Sequence, residues 1–231
     1  MTKNENKRPL TREPQYNILF DVVKKHGVSK FGLMVNESWN QDPRRTLFTL
    51  ARYKFVAKMF SGSENVLEVG CADAFGTRLV QQTVKNVTAV DFDPVFIEDV
   101  NNRKDLEWPL NCFQHDLLQG PVPGKFNAIY SLDVLEHINP IDEDKFVKNM
   151  LESLDENGIM IVGMPSLESQ SHASPQSKAG HVNCKSGDEL KIYFQRHFFN
   201  VFIFSMNDET IHTGFYPMAH YLIALCCGRK K

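Results

Sequence analysis

Val66-Leu67-Glu68-Val69-Gly70-Cys71-Ala72-Asp73-Ala74-Phe75-Gly76 decides the fold. Residues 65–70 read as a short apolar strand interrupted by one acid, and small residues at 70, 72, 74 and 76 turn the chain into a helical pattern over 77–85. Small residues let backbone amides approach a ligand closely at the carboxyl end of a strand, where open α/β sheets bind. The spacing is not the dinucleotide fingerprint, which needs glycine where Ala72 and Phe75 stand, and no Gly-Lys-Ser/Thr follows to make a P-loop.

Outward from this turn the chain alternates. Strands are expected at 87–91, 111–114, 126–132 and 159–164, with helices at 94–103 and 142–154, the second carrying Phe146, Val147, Met150, Leu151 and Leu154 on one face. A Ser-rich stretch covers 165–185. Ser186 and Glu189 then form a capping-box pattern for another helix. Two last strands, near 200–205 and 219–226, have no clear helix between them and suit an antiparallel pair. Such alternation implies a largely parallel sheet with helices on both faces. On the N-terminal side, 1–13 read as disordered, a helix begins near Pro14, 30–41 read as loop, and Asp42-Pro43 opens a helix carrying Phe48, Ala51, Phe55 and Met59. The expected division is a tail and helical cap over 1–60 and the sheet domain over 61–231.

The bulk numbers bound the function. A chain of 231 residues with 42% hydrophobic and 23% charged content suits one soluble globular domain. Its longest apolar run, 221–227, is too short to span a bilayer, and the polar start carries no signal-peptide pattern, so no membrane partner is expected. A net charge of -2 without a basic block argues against nucleic acid. Five cysteines with no CxxC suggest neither a disulfide framework nor a zinc site, and point to a reduced, cytoplasmic compartment.

At Glu68, Gly70, Ala72 and Ala74 the sequence resembles class I S-adenosylmethionine-dependent methyltransferases, whose first motif is roughly E/D-x-G-x-G-x-G; the two alanines depart from it. Phe126-Asn127-Ala128-Ile129-Tyr130-Ser131-Leu132-Asp133-Val134-Leu135-Glu136-His137-Ile138 is similar to the fourth motif of the small-molecule type, close to the ubiquinone-pathway O-methyltransferases. The resemblance implies a Rossmann-like, seven-stranded, mostly parallel sheet with an antiparallel last strand, and S-adenosylmethionine as cofactor with S-adenosylhomocysteine as product. It further implies cofactor contacts at Arg52, Glu68, Gly70, Ala72, Asp73, Asp91, Phe92, Asp116, Leu117, Ser131 and Leu132. Asp91, 21 positions after Gly70, has the chemistry to accept both ribose hydroxyls. Arg52 has the bidentate fork suited to a carboxylate.

Methyl transfer from a sulfonium is an in-line displacement that asks chiefly for alignment and exclusion of water. A general base helps a hydroxyl or amine acceptor. His137 and His181 are the candidate bases, with His172 and His212 behind them; no metal is required. A small-molecule or sugar hydroxyl is the expected acceptor, with specificity set by the N-terminal cap and 165–185. Phe31, Trp39 and Tyr53 either wall a pocket or are core aromatics. The alternatives are an N-methyltransferase, a non-catalytic S-adenosylmethionine-binding protein, or an NAD enzyme, against which the missing glycines count.

Overall fold

The computed structural model of the chain describes residues 10–230. The disorder expected over 1–13 therefore lies, for residues 1–9, outside the described residues. The chain divides after Phe31 into two compact units. In the first, Pro14 opens a short 3-10 turn that runs into α1 (Ile18–His26), which ends at Gly27 with φ 74°.

The second unit holds the sheet. Its elements in chain order are α2 (Leu33–Gln41), α3 (Arg44–Met59), β1 (Asn65–Val69), α4 (Thr77–Gln81), β2 (Asn86–Asp91), α5 (Pro94–Asn102), β3 (Asn111–Gln114), β4 (Phe126–Leu132), α6 (Glu143–Ser153), β5 (Leu154–Pro165), α7 (Pro175–Gly180), α8 (Gly187–Gln195), β6 (Phe198–Asn207), β7 (Thr210–His212) and β8 (Tyr221–Arg229). The sheet runs β3-β2-β1-β4-β5-β8-β6-β7, parallel from β3 to β5 and antiparallel at β8, β6 and β7. The Rossmann-like α/β expectation holds, with eight strands in place of seven. The additional strand, β7, is a three-residue return paired on the edge of β6, too short to show alternation.

Three local readings need correction. The stretch 30–41 is not loop: residues 33–41 are helical, because the free N–H groups of Leu33 and Val35 are capped by Asp99 and Asp73, acids from distant parts of the chain. The helix expected over 77–85 stops at Gln81. The Ser-rich segment 165–185 contains a 3-10 turn, Glu168–His172, and the Ser174-capped α7. The capping box at Ser186 and Glu189 forms as read.

Side-chain alternation splits the core between the two faces of the sheet. Leu67, Val69, Ile129, Met160, Val162 and Leu222 pack with α6 and α8, while Val66, Ala128, Tyr130, Ile161, Tyr221 and Ile223 pack with α3 and α4. Each fully buried Val, Leu, Ile or Met among them contributes about 1.5–3 kcal/mol. The strand order reverses between β1 and β4, and there the carboxyl ends diverge to leave the ligand crevice of an open α/β sheet.

Candidate functional site

The loop after β1 is held open by three left-handed residues in alternation: Gly70 (φ 76°), Ala72 (φ 44°) and Ala74 (φ 49°). Gly70 is obligatory for space as well as for φ, because a Cβ there would lie 2.2 Å from Cγ2 of Val134. The N–H groups of Gly70 and Cys71 both donate to the Val90 carbonyl, at 2.8 and 3.1 Å. Ala72 N–H donates to Oδ2 of Asp91 at 2.9 Å, so the loop is tied directly to the end of β2. Asp73 is turned away from the crevice, its carboxylate accepting from Phe75 N–H and from Val35 N–H at the start of α2.

Glu68, buried in the middle of β1, accepts from the Tyr53 hydroxyl at 2.7 Å and from Thr77 at 2.5 Å. Burial outweighs these bonds and pushes its carboxyl up to about 7. The acid therefore ties β1 to α3 and α4 beneath the loop, and Tyr53 is a core aromatic.

Asp91 ends β2, buried, with Oδ1 accepting from Asp93 N–H at 2.9 Å. Desolvation raises its pKa. Each carboxylate oxygen has taken one backbone donor, and an ionised carboxylate offers about four lone-pair sites, so two remain for a ligand's hydroxyls. Phe92 beside it is 70% exposed. After β3, Asp116 accepts from Leu118 N–H in a local turn, and the Leu117 side chain belongs to the core.

β4 and the turn after it supply the next group of side chains. Ser131 is 1% exposed and its Oγ has no partner among the described residues. Leu132 is buried in the core on the α3 face. Asp133 follows at φ 57° and pairs with Arg52 at 2.6 Å; Arg52 lies 3.8 Å over the Tyr221 ring and keeps Nε without a partner. The 3-10 turn Leu135–His137 then presents Glu136 and His137. His137 and His181 meet edge to face, ring centroids 5.1 Å apart. Burial and the neighbouring His137 lower the His181 pKa.

Of the residues singled out in the sequence, Gly70, Ala72, Asp91 and Ser131 thus stand at the carboxyl ends of β1, β2 and β4, and His137, in the turn after β4, meets His181. Glu68, Asp73, Leu117 and Leu132 are engaged within the protein by their side chains. Arg52 reaches the edge from α3 through Asp133, and His212 sits apart on β7, bonded to Asn207. Asp133 and Glu136 read in the sequence as acids to orient a histidine or bind substrate; the structure pairs Asp133 with Arg52 and buries Glu136 with neither carboxylate oxygen partnered among the described residues.

Residues 66–158 match the family described as a methyltransferase domain. A probable S-adenosylmethionine-dependent methyltransferase of Mycobacterium tuberculosis is 28% identical over 105 residues, 45% of this chain and 36% of that protein. The mitochondrial ubiquinone biosynthesis O-methyltransferase of Schizosaccharomyces pombe is 25% identical over 153 residues, 61% of this chain and 55% of that protein. The chain thus matches about a third to a half of the length of these curated relatives. Among solved structures, the N-methyltransferase NodS of Bradyrhizobium japonicum with S-adenosylhomocysteine superposes with a TM-score of 0.58 at 19% identity, covering 82% of this chain and 91% of that one. The resemblance read from the two motifs is borne out, and the fold is the one found in that methyltransferase.

Proposed function

We propose that this chain is an S-adenosylmethionine-dependent methyltransferase that methylates an oxygen of a small-molecule or sugar acceptor. The observation that carries the reading is the pairing of Ala72 N–H with the buried Asp91 carboxylate. It presents two free acceptor sites beside a left-handed loop at the strand-order reversal, where a ribose diol fits. Two more features suit the cofactor: the orphaned Ser131 hydroxyl, and the unpartnered Nε of Arg52, a donor of the kind that binds a carboxylate. The exposed Phe92 ring suits stacking on adenine.

When bound, S-adenosylmethionine supplies a methyl group on a sulfonium that departs as a neutral thioether. Ser131 walls the reacting end, Asp91 and the loop hold the nucleoside, and the segment 165–185 shields the acceptor from water. His137 and His181 stand at the acceptor end, where an oxygen nucleophile must lose its proton. Five free cysteines among the described residues suit a reduced, cytoplasmic setting, and none of the described helices is long and apolar enough to cross a membrane.

Calorimetric titration with S-adenosylmethionine, S-adenosylhomocysteine and NAD tests the reading. Micromolar binding of both sulfur compounds is expected. Asp91→Ala removes two hydrogen bonds to a charged acceptor, about 3 kcal/mol together, so it should weaken binding roughly 100-fold. Binding of NAD in their place refutes the proposal. Binding without turnover on any hydroxyl or amine acceptor would assign the chain to a non-catalytic role.

A further inference from the structure

The site has one feature that methyl transfer alone does not require. Glu136 is fully buried, yet neither carboxylate oxygen has a partner among the described residues. A carboxylate buried without a hydrogen bond costs several kcal/mol; the Arg52 charge that acts on Glu136 is ion-paired with Asp133, whose own charge opposes it, so the group calls for a further cation or a proton. One of its oxygens, one ring nitrogen of His137 and one of His181 all lie within 4.8 Å of one another.

Both imidazoles have Nδ1 engaged with an oxygen of the protein. Nδ1 of His137 lies 2.9 Å from the Gly180 carbonyl oxygen, an acceptor only, so Nδ1 carries the hydrogen. Nδ1 of His181 lies 2.8 Å from Oε1 of Gln170, whose own amide nitrogen is engaged with the Ser166 carbonyl at 3.0 Å, which fixes the amide's sense. In each ring Nε2 is left with the lone pair. This is the arrangement of metal-binding histidines, whose second nitrogen donates to an oxygen that fixes tautomer and ring plane.

The cluster is also built before any cation arrives. The Glu136 carbonyl accepts from Val182 N–H at 2.8 Å and Asn183 N–H at 3.0 Å, stapling the turn after β4 to the segment after α7. Asn183 and Lys185 both bind Glu143, anchoring that segment on α6. Ligands at about 2.1 Å from a tetrahedral cation stand roughly 3.4 Å apart, so small side-chain rotations complete the site.

From this geometry we infer that Glu136, His137 and His181 bind a divalent first-row transition cation at the acceptor end of the crevice. Two imidazoles and one carboxylate select Mn2+, Co2+ or Zn2+ over Mg2+ or Ca2+, which prefer all-oxygen sites. Three protein ligands leave positions open to a ligand, and a cation there lowers the pKa of a hydroxyl bound to it. That refinement, an oxygen acceptor that ligates the cation, rests on the methyltransferase reading; the cation site does not.

The full-length chain, stripped with chelator and dialysed, is titrated calorimetrically with Mn2+, Co2+ and Zn2+ in turn, and its Co2+ form is examined by visible absorption. One cation per chain is expected, with d–d bands of nitrogen and oxygen ligation. Glu136→Gln and His181→Asn should each weaken binding at least about 30-fold, roughly 2 kcal/mol, while leaving S-adenosylhomocysteine affinity within about threefold. No binding of any of the three cations overturns the inference, as does undiminished binding in both variants. Should the variants fail to fold, the Co2+ spectrum of the unaltered chain decides: a purely aqueous spectrum overturns the site. Cation binding without S-adenosylhomocysteine binding supports the site and removes the methyltransferase reading instead.

Discussion

Replacing Ala72 and Ala74 by glycine separates the strain of the loop from its packing. Both alanines sit at positive φ, 44° and 49°, where an L-residue costs about 1–2 kcal/mol. Glycine removes that cost but adds about 0.4–1 kcal/mol of unfolded-state entropy. At residue 72 little else changes, because its N–H still donates to Asp91; Ala72→Gly should stabilise the chain by about 0.5–1 kcal/mol. At residue 74 the methyl packs on the small cluster of Cys71, Ala89, Ile97, Val100 and Cys112. Losing a buried methyl costs about 0.8 kcal/mol, so Ala74→Gly should be neutral within roughly 0.5 kcal/mol. Urea unfolding followed by circular dichroism measures both, and the midpoint temperature of Ala72→Gly should rise by about 2–3 °C for a domain of this size. Because the residues are two apart, the double variant need not be additive. A loss of more than about 0.5 kcal/mol in Ala72→Gly would refute the reasoning, since it would mean that the side chain supports the loop rather than strains it.

Gly70→Ala should act in the opposite sense. Its new Cβ meets Val134 Cγ2 at 2.2 Å at a residue with φ 76°, so a loss of about 3 kcal/mol is expected, partly recovered by Val134→Ala in the same unfolding assay. Glu68 makes stability depend on pH. Its folded pKa of about 7 exceeds the ordinary 4.5, so the folded state holds the proton longer: the group costs nothing below pH 4.5, stability falls as pH rises from 4.5 to 7, and the loss is complete above 7. The total is about 3 kcal/mol; it should be lost in Glu68→Gln and so appear as the pH-dependent difference between the native chain and that variant, and parallel pH profiles for the two would contradict the assignment.

The parts of the fold legible in the sequence were those that local physics encodes. β1 and its small-residue turn follow from the 65–76 pattern, α8 from the capping box, α6 from its apolar face, and the place of Asp91 from the strand that ends on it. The Rossmann-like alternation needed only these. The helix at 33–41 stayed hidden because its caps, Asp73 and Asp99, are 38 and 66 residues from the N–H groups they satisfy. β7 was too short to alternate.

Of the site, the sequence by itself determined residue types and their order along the strand ends: the small-residue turn after β1, the acid that ends β2, the serine in β4 and the two histidines. Tertiary structure alone decided what each does with its neighbours. It spent Glu68 and Asp73 on bonds within the protein, joined Arg52 to Asp133 across 81 residues, and closed Glu136, His137 and His181 into one cluster by stapling the turn after β4 to the segment after α7. The physical reason is that helix caps, periodicity and turn conformations are set by interactions within a few residues, whereas an ion pair or a ligand cluster exists only once the packed sheet has brought distant segments together.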